Sequence, residues 1–312
     1  MKITNFIIFS LIITVLSCSK DNTVEIAEPS ENPSKQSQII RFMSETDNVS
    51  ILVFNENNND FYYQKTISPV WAADGSAYST LALGNYKFLF LKSEGLNTIV
   101  QPDPLNSNSN FTDFHIAAKE DPDHPGYYLP VDEIWFPETT RMADSTYTIA
   151  GKDTIRNKLK RAVSQVVVNI NRATSINLFV PAPFKNGKNI TEYIREIQIE
   201  AIGVGDSIDI YGGKGNVSSL FSTDQADITA DGFAVVNGPM LFPPTSGTQT
   251  QVRVTLVPTA DSPFPEMKKT ITGTLERNKQ LEITLWLTIT FKFAEVTIKN
   301  ISFSDGDEGI WN

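Results

Sequence analysis

Past residue 38 the chain consists of short segments in which apolar and polar residues alternate, and turn residues separate one segment from the next. Alternation with a period of two places every second side chain on the same face of an extended strand. Residues 49–54 and 61–67 therefore predict one β-hairpin, and residues 77–83 and 85–91 predict a second one around Gly84. No segment shows convincing helical periodicity, so the chain is predicted to be all-β.

Further strands continue the same pattern along the rest of the chain. Residues 105–132 are predicted to be loop-rich, and residues 156–161 to form a basic turn at a domain junction. For residues 190–199, a helix is the alternative assignment to a strand. Short strands at this spacing are typical of β-sandwiches, and the length suits two in tandem, over residues 38–155 and 156–312. The further strands are predicted at residues 133–136, 162–171, 196–202, 207–211, 232–236, 251–257, 269–275, 281–289 and 295–303.

Residues 1–17 resemble a secretory signal peptide. Lys2 supplies a positive charge, and residues 6–16 form an apolar run that is too short for a permanent membrane helix. The run leads into Ser17-Cys18, and Cys18 is the only cysteine among 312 residues. This arrangement resembles a bacterial lipoprotein signal, in which the cysteine is acylated, for example with palmitate, and becomes the first residue after cleavage. The alternatives are an ordinary signal peptide followed by an unrelated cysteine, and a core cysteine in a cytosolic protein.

The residues after Cys18 predict the cellular location of the protein and a flexible linker. Ser19, Lys20 and Asp21 resemble the short charged export tags that carry lipoproteins of Bacteroidetes to the cell surface, so the outer membrane is the predicted location. Residues 18–37 are polar and predict a flexible tether. The whole chain carries 26 basic and 36 acidic residues, a net charge of −10. An acidic chain of this kind argues against binding of nucleic acid.

Sequence motifs of familiar catalytic sites are absent. The two histidines, His115 and His124, lack further ligands at zinc spacing, since no cysteine remains to complete a site. Acidic loops at residues 121–123 and 304–308 have the oxygens that calcium prefers, but not the spacing of a full calcium loop. We therefore expect no enzyme, no cofactor and no metal site.

Several short motifs occur together in this chain: the lipoprotein signal, residues 83–88 at the entry of a strand, residues 161–170 with their valine cluster, residues 275–278 at a turn, and Trp311. As a set they resemble the Bacteroidetes fimbrillin superfamily, especially its FimB-type anchor subunits. The resemblance implies two sandwiches of transthyretin-like topology. It also implies assembly into fimbriae by exchange of β-strands, in which a neighbour's strand fills an apolar groove and pairs with a free sheet edge.

The role within such a fimbria depends on the two ends of the fold. Residues 37–43 would form the first strand, and Arg41 is its only basic residue. Cleavage after Arg41 by an arginine-specific protease would mark a stalk or tip subunit, whereas a retained strand would mark an anchor. At the other end, residues 296–303 alternate well enough to close the fold or to be donated, and Ile298, Ile301 and Phe303 would make the contacts.

The predicted function is structural: a lipid-anchored fimbrial subunit that serves cell adhesion and binds other fimbrial subunits, with host or bacterial surface ligands as further partners. The alternatives are a processed stalk or tip subunit and a surface glycan-binding lipoprotein of a polysaccharide-uptake system, which would share the lipid signal, the acidity and the sandwiches. Four aromatic residues could then stack on sugars, unless they pack in or beside the core. They are Trp71, Tyr127, Tyr128 and Trp135.

Overall fold

Extended strands account for most of the folded chain, as the alternating pattern predicts. A computed structural model describes residues 37–44, 48–151, 153–172, 193–223, 227–228, 234–287 and 293–303. Contacts between residues group Ser37–Asn312 into one compact unit. The predicted lipid attachment site Cys18 and the tag Ser19, Lys20 and Asp21 lie outside the described residues. Within the described part, no helix has the length and apolar character needed to cross a membrane.

The strands are numbered in chain order. The N-terminal half contains β1 (Ser37–Ser44), β2 (Ser50–Asn57), β3 (Asp60–Ile67), β4 (Ser76–Ala82), β5 (Gly84–Glu94), β6 (Thr98–Gln101), a 3-10 helix (Phe111–Asp113), β7 (His115–Ala118), β8 (Tyr127–Tyr128), β9 (Glu133–Pro137), α1 (Thr140–Asp144), β10 (Tyr147–Ile149), β11 (Thr154–Asn157) and β12 (Leu159–Arg161).

The C-terminal half contains β13 (Ser164–Arg172), β14 (Ile194–Val204), β15 (Ser207–Asp209), β16 (Gly212–Lys214), β17 (Val217–Thr223), β18 (Asp227–Ile228), β19 (Ala234–Leu241), β20 (Thr250–Pro258), β21 (Met267–Gly273), β22 (Lys279–Leu287) and β23 (Phe293–Ser302).

Three layers of sheet enclose two cores in the N-terminal half. The central layer has the strand order β12-β9-β5-β2-β3, with β10 beside β5. A sheet of order β11-β1-β4 covers one of its faces, and a sheet of order β16-β15-β7-β6 covers the other. Both faces of the central layer are therefore buried, which explains why its strands carry continuous apolar runs as well as alternation.

Strand β2 shows this double burial most directly. Ile51 and Val53 join the core beneath β1, whereas Leu52 and Phe54 join the core on the opposite face. All four side chains are at most 3% exposed. In β5, the side chains that share the face beneath β1 follow the period of two: they are Tyr86, Phe88 and Phe90.

The second predicted hairpin is wrong, although both of its strands exist. Strand β4 pairs with β1, whereas β5 pairs with β2, β9 and β10. The backbone changes sheet at Gly84, whose φ of +151° is strained for a residue with a side chain. Alternation predicted the strands correctly because it depends on burial, but it carries no information about which strands pair.

The N-terminal half corrects one further prediction. Residues 156–161, predicted as a basic turn, contribute to β11 and β12, which pair with β1 and β9. In these strands Ile155 and Leu159 point into the core. The lysines and arginines between and after them point outward, so the sequence looks like a basic turn. Residues 105–132 are loop-rich as predicted, with β7, β8 and the 3-10 helix between their loops.

The C-terminal half is a sandwich of two sheets around the remaining core. One sheet has the order β18-β19-β13-β22-β23, and the other the order β21-β20-β14-β17-β8. In β14, Ile197, Ile199 and Ala201 point inward and are fully buried, as the alternation of the strand predicted at residues 196–202 requires. The helix alternative is wrong over residues 194–199, because these residues pair as a strand with both β17 and β20.

Two short strands cross between the halves. Strand β8 of the N-terminal half lies parallel to β17, and β15 of the C-terminal half pairs with β7. Ile208 and Ile210 thereby enter a core of the N-terminal half. These crossings link the halves, and the predicted domain boundary near residue 155 stays a prediction.

Candidate subunit-contact strands

Strand β1 occupies the middle of its sheet. It runs antiparallel to β4 and parallel to β11. Ile40 and Phe42 point into the core and are fully buried, and the Phe42 ring makes edge contacts with Phe88 and Phe90 at centroid distances of 5.4 and 6.1 Å. Ile39 points outward and is 60% exposed. The strand predicted from residues 37–43 is thus confirmed, and its inner face is part of the core.

Arg41 lies on the outer face of β1, with its backbone held by both neighbouring strands. It is opposite Thr154 on one side and Tyr78 on the other, and its backbone N–H donates to the carbonyl oxygen of Asp153 at 3.0 Å. The guanidinium forms an ion pair with Asp74 at 3.0 Å. Hydrogen bonds from the hydroxyl and amide of Ser76, together with Arg41, hold the pKa of the Asp74 carboxyl below its usual range.

Strand β23 forms one edge of its sheet. It pairs with β22, and no strand lies on its other side among the described residues. Ile298 is opposite Ile283, so both point toward the core, yet Ile298 is 42% exposed whereas Ile283 is fully buried. Ile301 points to the opposite face and is 40% exposed. Within the described residues, the edge thus combines a backbone without a second partner strand and apolar side chains that are covered only in part.

Phe303 has a different environment from the two isoleucines. It is 8% exposed and follows the end of β23. The guanidinium of Arg161 lies 4.5 Å from the Phe303 ring and 4.6 Å from the ring of Trp135, so it is stacked between the two. Arg161 also forms an ion pair with Glu133. Of the predicted contact residues, Ile298 and Ile301 are therefore accessible and Phe303 is not.

A second arginine links the halves close to this stack. Arg277 follows Leu275 at the predicted turn, and its guanidinium donates to the carbonyl oxygens of Pro137, Arg161 and Lys160 at 2.9, 3.2 and 3.3 Å. Burial lowers the pKa of Arg277 to about 10, so it remains charged at neutral pH. Sequence reasoning missed this contact, because its partners lie more than a hundred residues away.

Arg277 also lines a cleft of about 550 Å³ where the two halves meet. Its walls come from the end of β9, the start of α1, the β15–β16 hairpin, and the loops at residues 243–248 and 274–277. Such a composite wall leaves no local signal in the sequence. The residues with polar side chains that line it are Glu138, Thr139, Thr140, Tyr211, Thr245, Ser246, Thr248, Thr274, Glu276 and Arg277.

The four aromatics considered for sugar binding are all partly buried. Trp71 donates its indole N–H to the carbonyl oxygen of Val49 at 3.1 Å, and Trp135 stacks on Arg161. Tyr127 donates its hydroxyl to Glu200 at 2.7 Å, and Tyr128 packs against a core. All four side chains therefore have contacts within the fold, and none of them lines the cleft.

His115 and His124, for which no metal site is predicted, have separate hydrogen-bond partners. His124 bonds to the Asp121 carboxylate at 2.8 Å, while His115 contacts the carbonyl oxygen of Asp113. Among the described residues, no group of three or more His, Cys, Asp or Glu side chains could hold a metal ion. The acidic stretch at residues 304–308 lies outside the described residues.

Residues 18–300 match the family described as fimbrillin-A associated anchor proteins Mfa1 and Mfa2. Among solved structures, a candidate polysaccharide-binding protein from Bacteroides thetaiotaomicron is similar at a TM-score of 0.55 and 11% identity, over 87% of this chain and 99% of that chain. A candidate adhesin from Bacteroides ovatus is similar at a TM-score of 0.53 and 10% identity, over 84% of this chain and 93% of that chain.

The fimbrial anchor protein Mfa2 from Porphyromonas gingivalis aligns with 86% of this chain and 99% of its own, at a TM-score of 0.49 and 11% identity. The structures from the two Bacteroides species show a shared fold. No curated protein sequence matches the chain.

Proposed function

Because the chain belongs to the family of fimbrillin-A associated anchor proteins Mfa1 and Mfa2, we propose that it is a lipid-anchored subunit that holds a fimbria at the outer membrane. The family is a structural one of fimbriae and adhesion, and its members associate with other fimbrial subunits. The proposal adds three specific features to that role: a lipid on Cys18, a first strand that stays in place, and a strand edge that receives the next subunit.

The lipid would sit on Cys18. The family match begins at this residue, and the apolar run followed by Ser17-Cys18 supports acylation there. Two or three acyl chains, at about 0.8 kcal/mol per buried methylene, would hold the chain on the membrane without a membrane-spanning helix. Ser19, Lys20 and Asp21 would direct it to the cell surface, and residues 18–36 would act as the tether that ends where β1 begins.

Retention of β1 distinguishes an anchor from a processed stalk or tip subunit. Ile40 and Phe42 are fully buried, and β1 has partner strands on both sides. A protease needs an extended segment free of such partners, so cleavage after Arg41 would require the centre of this sheet to open. We therefore assign Arg41 to a retained strand, with Asp74 as its ion-pair partner.

Strand addition at β23 would join this subunit to the next. The observation that carries this step is the partly uncovered Ile298 on the core face of an edge strand. A neighbour's strand beside β23 would pair with its free backbone groups and cover Ile298 and Ile301 from the side. Phe303, stacked on Arg161, would fix the end of β23 while this happens.

Co-purification of fimbriae tests the strand-addition step. We expect Ile298→Asp to reduce the amount of fimbrial subunit that co-purifies with the protein, since a carboxylate would be buried against an apolar strand. Val70→Asp is the matched control, because Val70 is 95% exposed and also β-branched. Equal recovery of fimbrial subunits with Ile298→Asp and Val70→Asp, both folded by circular dichroism, would contradict the role of β23.

Intact mass of the protein extracted from native outer membranes tests the other two features together. We expect a lipid-bearing chain that begins at Cys18, and we expect Cys18→Ala to appear in the soluble fraction without lipid. A lipid-free chain that begins at Phe42 would instead show that Arg41 is cleaved and that this is a stalk or tip subunit.

A further inference from the structure

The cleft between the halves has the size and rigidity of a ligand site. Its volume of about 550 Å³ lies within the range of small-molecule pockets, roughly 300–1,000 Å³. The hairpin β15–β16 packs against the loop at residue 243 so closely that a Cβ on Gly213 would lie 1.7 Å from the carbonyl oxygen of Pro243. This wall therefore leaves no room for movement toward the loop.

Tyr211 is presented to solvent at the rim of this cleft. Its backbone N–H and that of Gly212 donate to one carboxylate oxygen of Asp209, at 2.7 and 3.0 Å. The second oxygen of Asp209 pairs with Lys214 at 2.6 Å. Although this turn holds its backbone, the Tyr211 side chain is 59% exposed. A large aromatic ring on a fixed turn is a ready stacking surface, because little conformational freedom is lost when a ligand covers it.

The chemistry around Tyr211 selects a ligand rich in hydroxyl groups. Threonine and serine hydroxyls line the walls, and Glu138 and Glu276 add carboxylate oxygens that accept hydrogen bonds. The guanidinium of Arg277 already donates to three backbone carbonyl oxygens. Glu276 also forms an ion pair with Lys279, and Glu138 interacts with the charge of Arg277, so the lining is close to neutral overall and gives a ligand with carboxylate or sulfate groups no net attraction.

We propose that this cleft binds a neutral oligosaccharide, with the ring of Tyr211 stacked on a sugar face and Glu138 accepting hydrogen bonds from sugar hydroxyls. A pyranose has an apolar face of C–H groups and a rim of hydroxyls, which matches an exposed ring beside acceptors. No residue of β23 lines the cleft, so one subunit could hold the fimbria and bind a surface glycan at the same time.

Affinity electrophoresis of the full-length chain tests this proposal. The gels would contain a neutral glucan, mannan, galactan or xylan, or the anionic alginate and chondroitin sulfate. We expect retardation by at least one neutral polysaccharide, and a loss of affinity of about tenfold or more in Tyr211→Ala, as for an aromatic residue that supplies a main contact. Glu138→Gln should also weaken retardation, since an amide accepts less strongly than a carboxylate.

Tyr78→Ala is the matched control for Tyr211→Ala. Tyr78 is 61% exposed but lies on β4, outside the cleft, so its removal should leave retardation unchanged. Retardation by none of the neutral polysaccharides would overturn the proposal, as would retardation by the anionic ones alone or equal losses in the two tyrosine variants. Co-purification of fimbrial subunits with Tyr211→Ala separates this site from the anchor role, because we expect it to stay normal.

Discussion

Adjacent isoleucines in β1 provide a sharp test of whether this strand belongs permanently to the fold. Ile40 is fully buried in the core beneath β1, whereas its neighbour Ile39 is 60% exposed on the outer face. The two residues have the same side chain, the same strand and almost the same position. Replacing each in turn with alanine therefore varies burial and little else.

The expected magnitude follows from burial. Ile40→Ala removes a fully buried side chain down to its Cβ and leaves a cavity, which lowers the free energy of unfolding by about 2–5 kcal/mol. For a chain of this length that is a fall in melting temperature of roughly 4–20 °C. Ile39→Ala removes a side chain that is mostly in water, and we expect a change within about 0.5 kcal/mol.

Trypsin cleavage between Arg41 and Phe42 offers a second assay of the same two variants. If cleavage requires β1 to open and closing is fast, the rate follows the population of the open state. The fall of about 2–5 kcal/mol in the free energy of unfolding of Ile40→Ala would then accelerate cleavage roughly 30- to 4,000-fold, because about 1.4 kcal/mol corresponds to a factor of ten. Mass spectrometry of the new N-terminus at Phe42 identifies the cut.

Similar melting temperatures and cleavage rates for Ile40→Ala and Ile39→Ala would refute the argument. That result would mean that β1 contributes little to the core, and that loss of residues 37–41 to a protease is compatible with the fold. Rapid cleavage at Arg41 in the unmodified protein would refute it in the same way. The anchor assignment would then lose its structural support, because a removable first strand marks a processed subunit.

Two further predictions concern the junction and the loop at Asp121. Arg277→Ala should lower the free energy of unfolding by about 2–4 kcal/mol, because three backbone carbonyl oxygens lose a charged donor. Urea unfolding measures this free energy. The control is Arg195→Ala, which removes an exposed arginine and should leave stability nearly unchanged. The backbone N–H of Asp123 and the ring of His124 hold the pKa of the Asp121 carboxyl in the folded state below its ordinary value of 3.8. The ionised Asp121 carboxylate therefore stabilises the fold above pH 3.8, and this stabilisation is lost as the pH falls through the folded-state pKa. Melting curves of Asp121→Asn and the unmodified protein should therefore differ at pH 7 and converge at the most acidic pH that the fold tolerates; a difference that does not shrink on acidification would contradict this.

Family and strand content could both be predicted from the sequence. Alternation is a local property, since it records only whether successive side chains face a core or water. It therefore located β1, β2, β3, β14 and β22 to within a few residues. The motifs along the chain, together with the predicted lipoprotein signal, resemble the fimbrillins, and the family match supports that assignment.

Pairing of the strands is where sequence reasoning failed or had nothing to say. The contact between β13 and β22 joins residues more than a hundred positions apart, and β4 leaves its neighbour β5 to pair with β1. Pairing depends on which surfaces meet in three dimensions, and each partner looks equally suitable from its own residues. Charged segments add to the problem, because the lysines and arginines of residues 156–161 hide two short strands.

The candidate sites divide in the same way. Arg41, Ile298 and Ile301 could be chosen from the sequence, because each belongs to a recognisable strand near an end of the fold. Only the tertiary structure decided that β1 is central, that β23 is an edge and that Phe303 is buried against Arg161. The cleft beside Tyr211 was beyond the reach of the sequence altogether: its walls come from four separate stretches, and a surface assembled from distant residues exists only once the chain has folded.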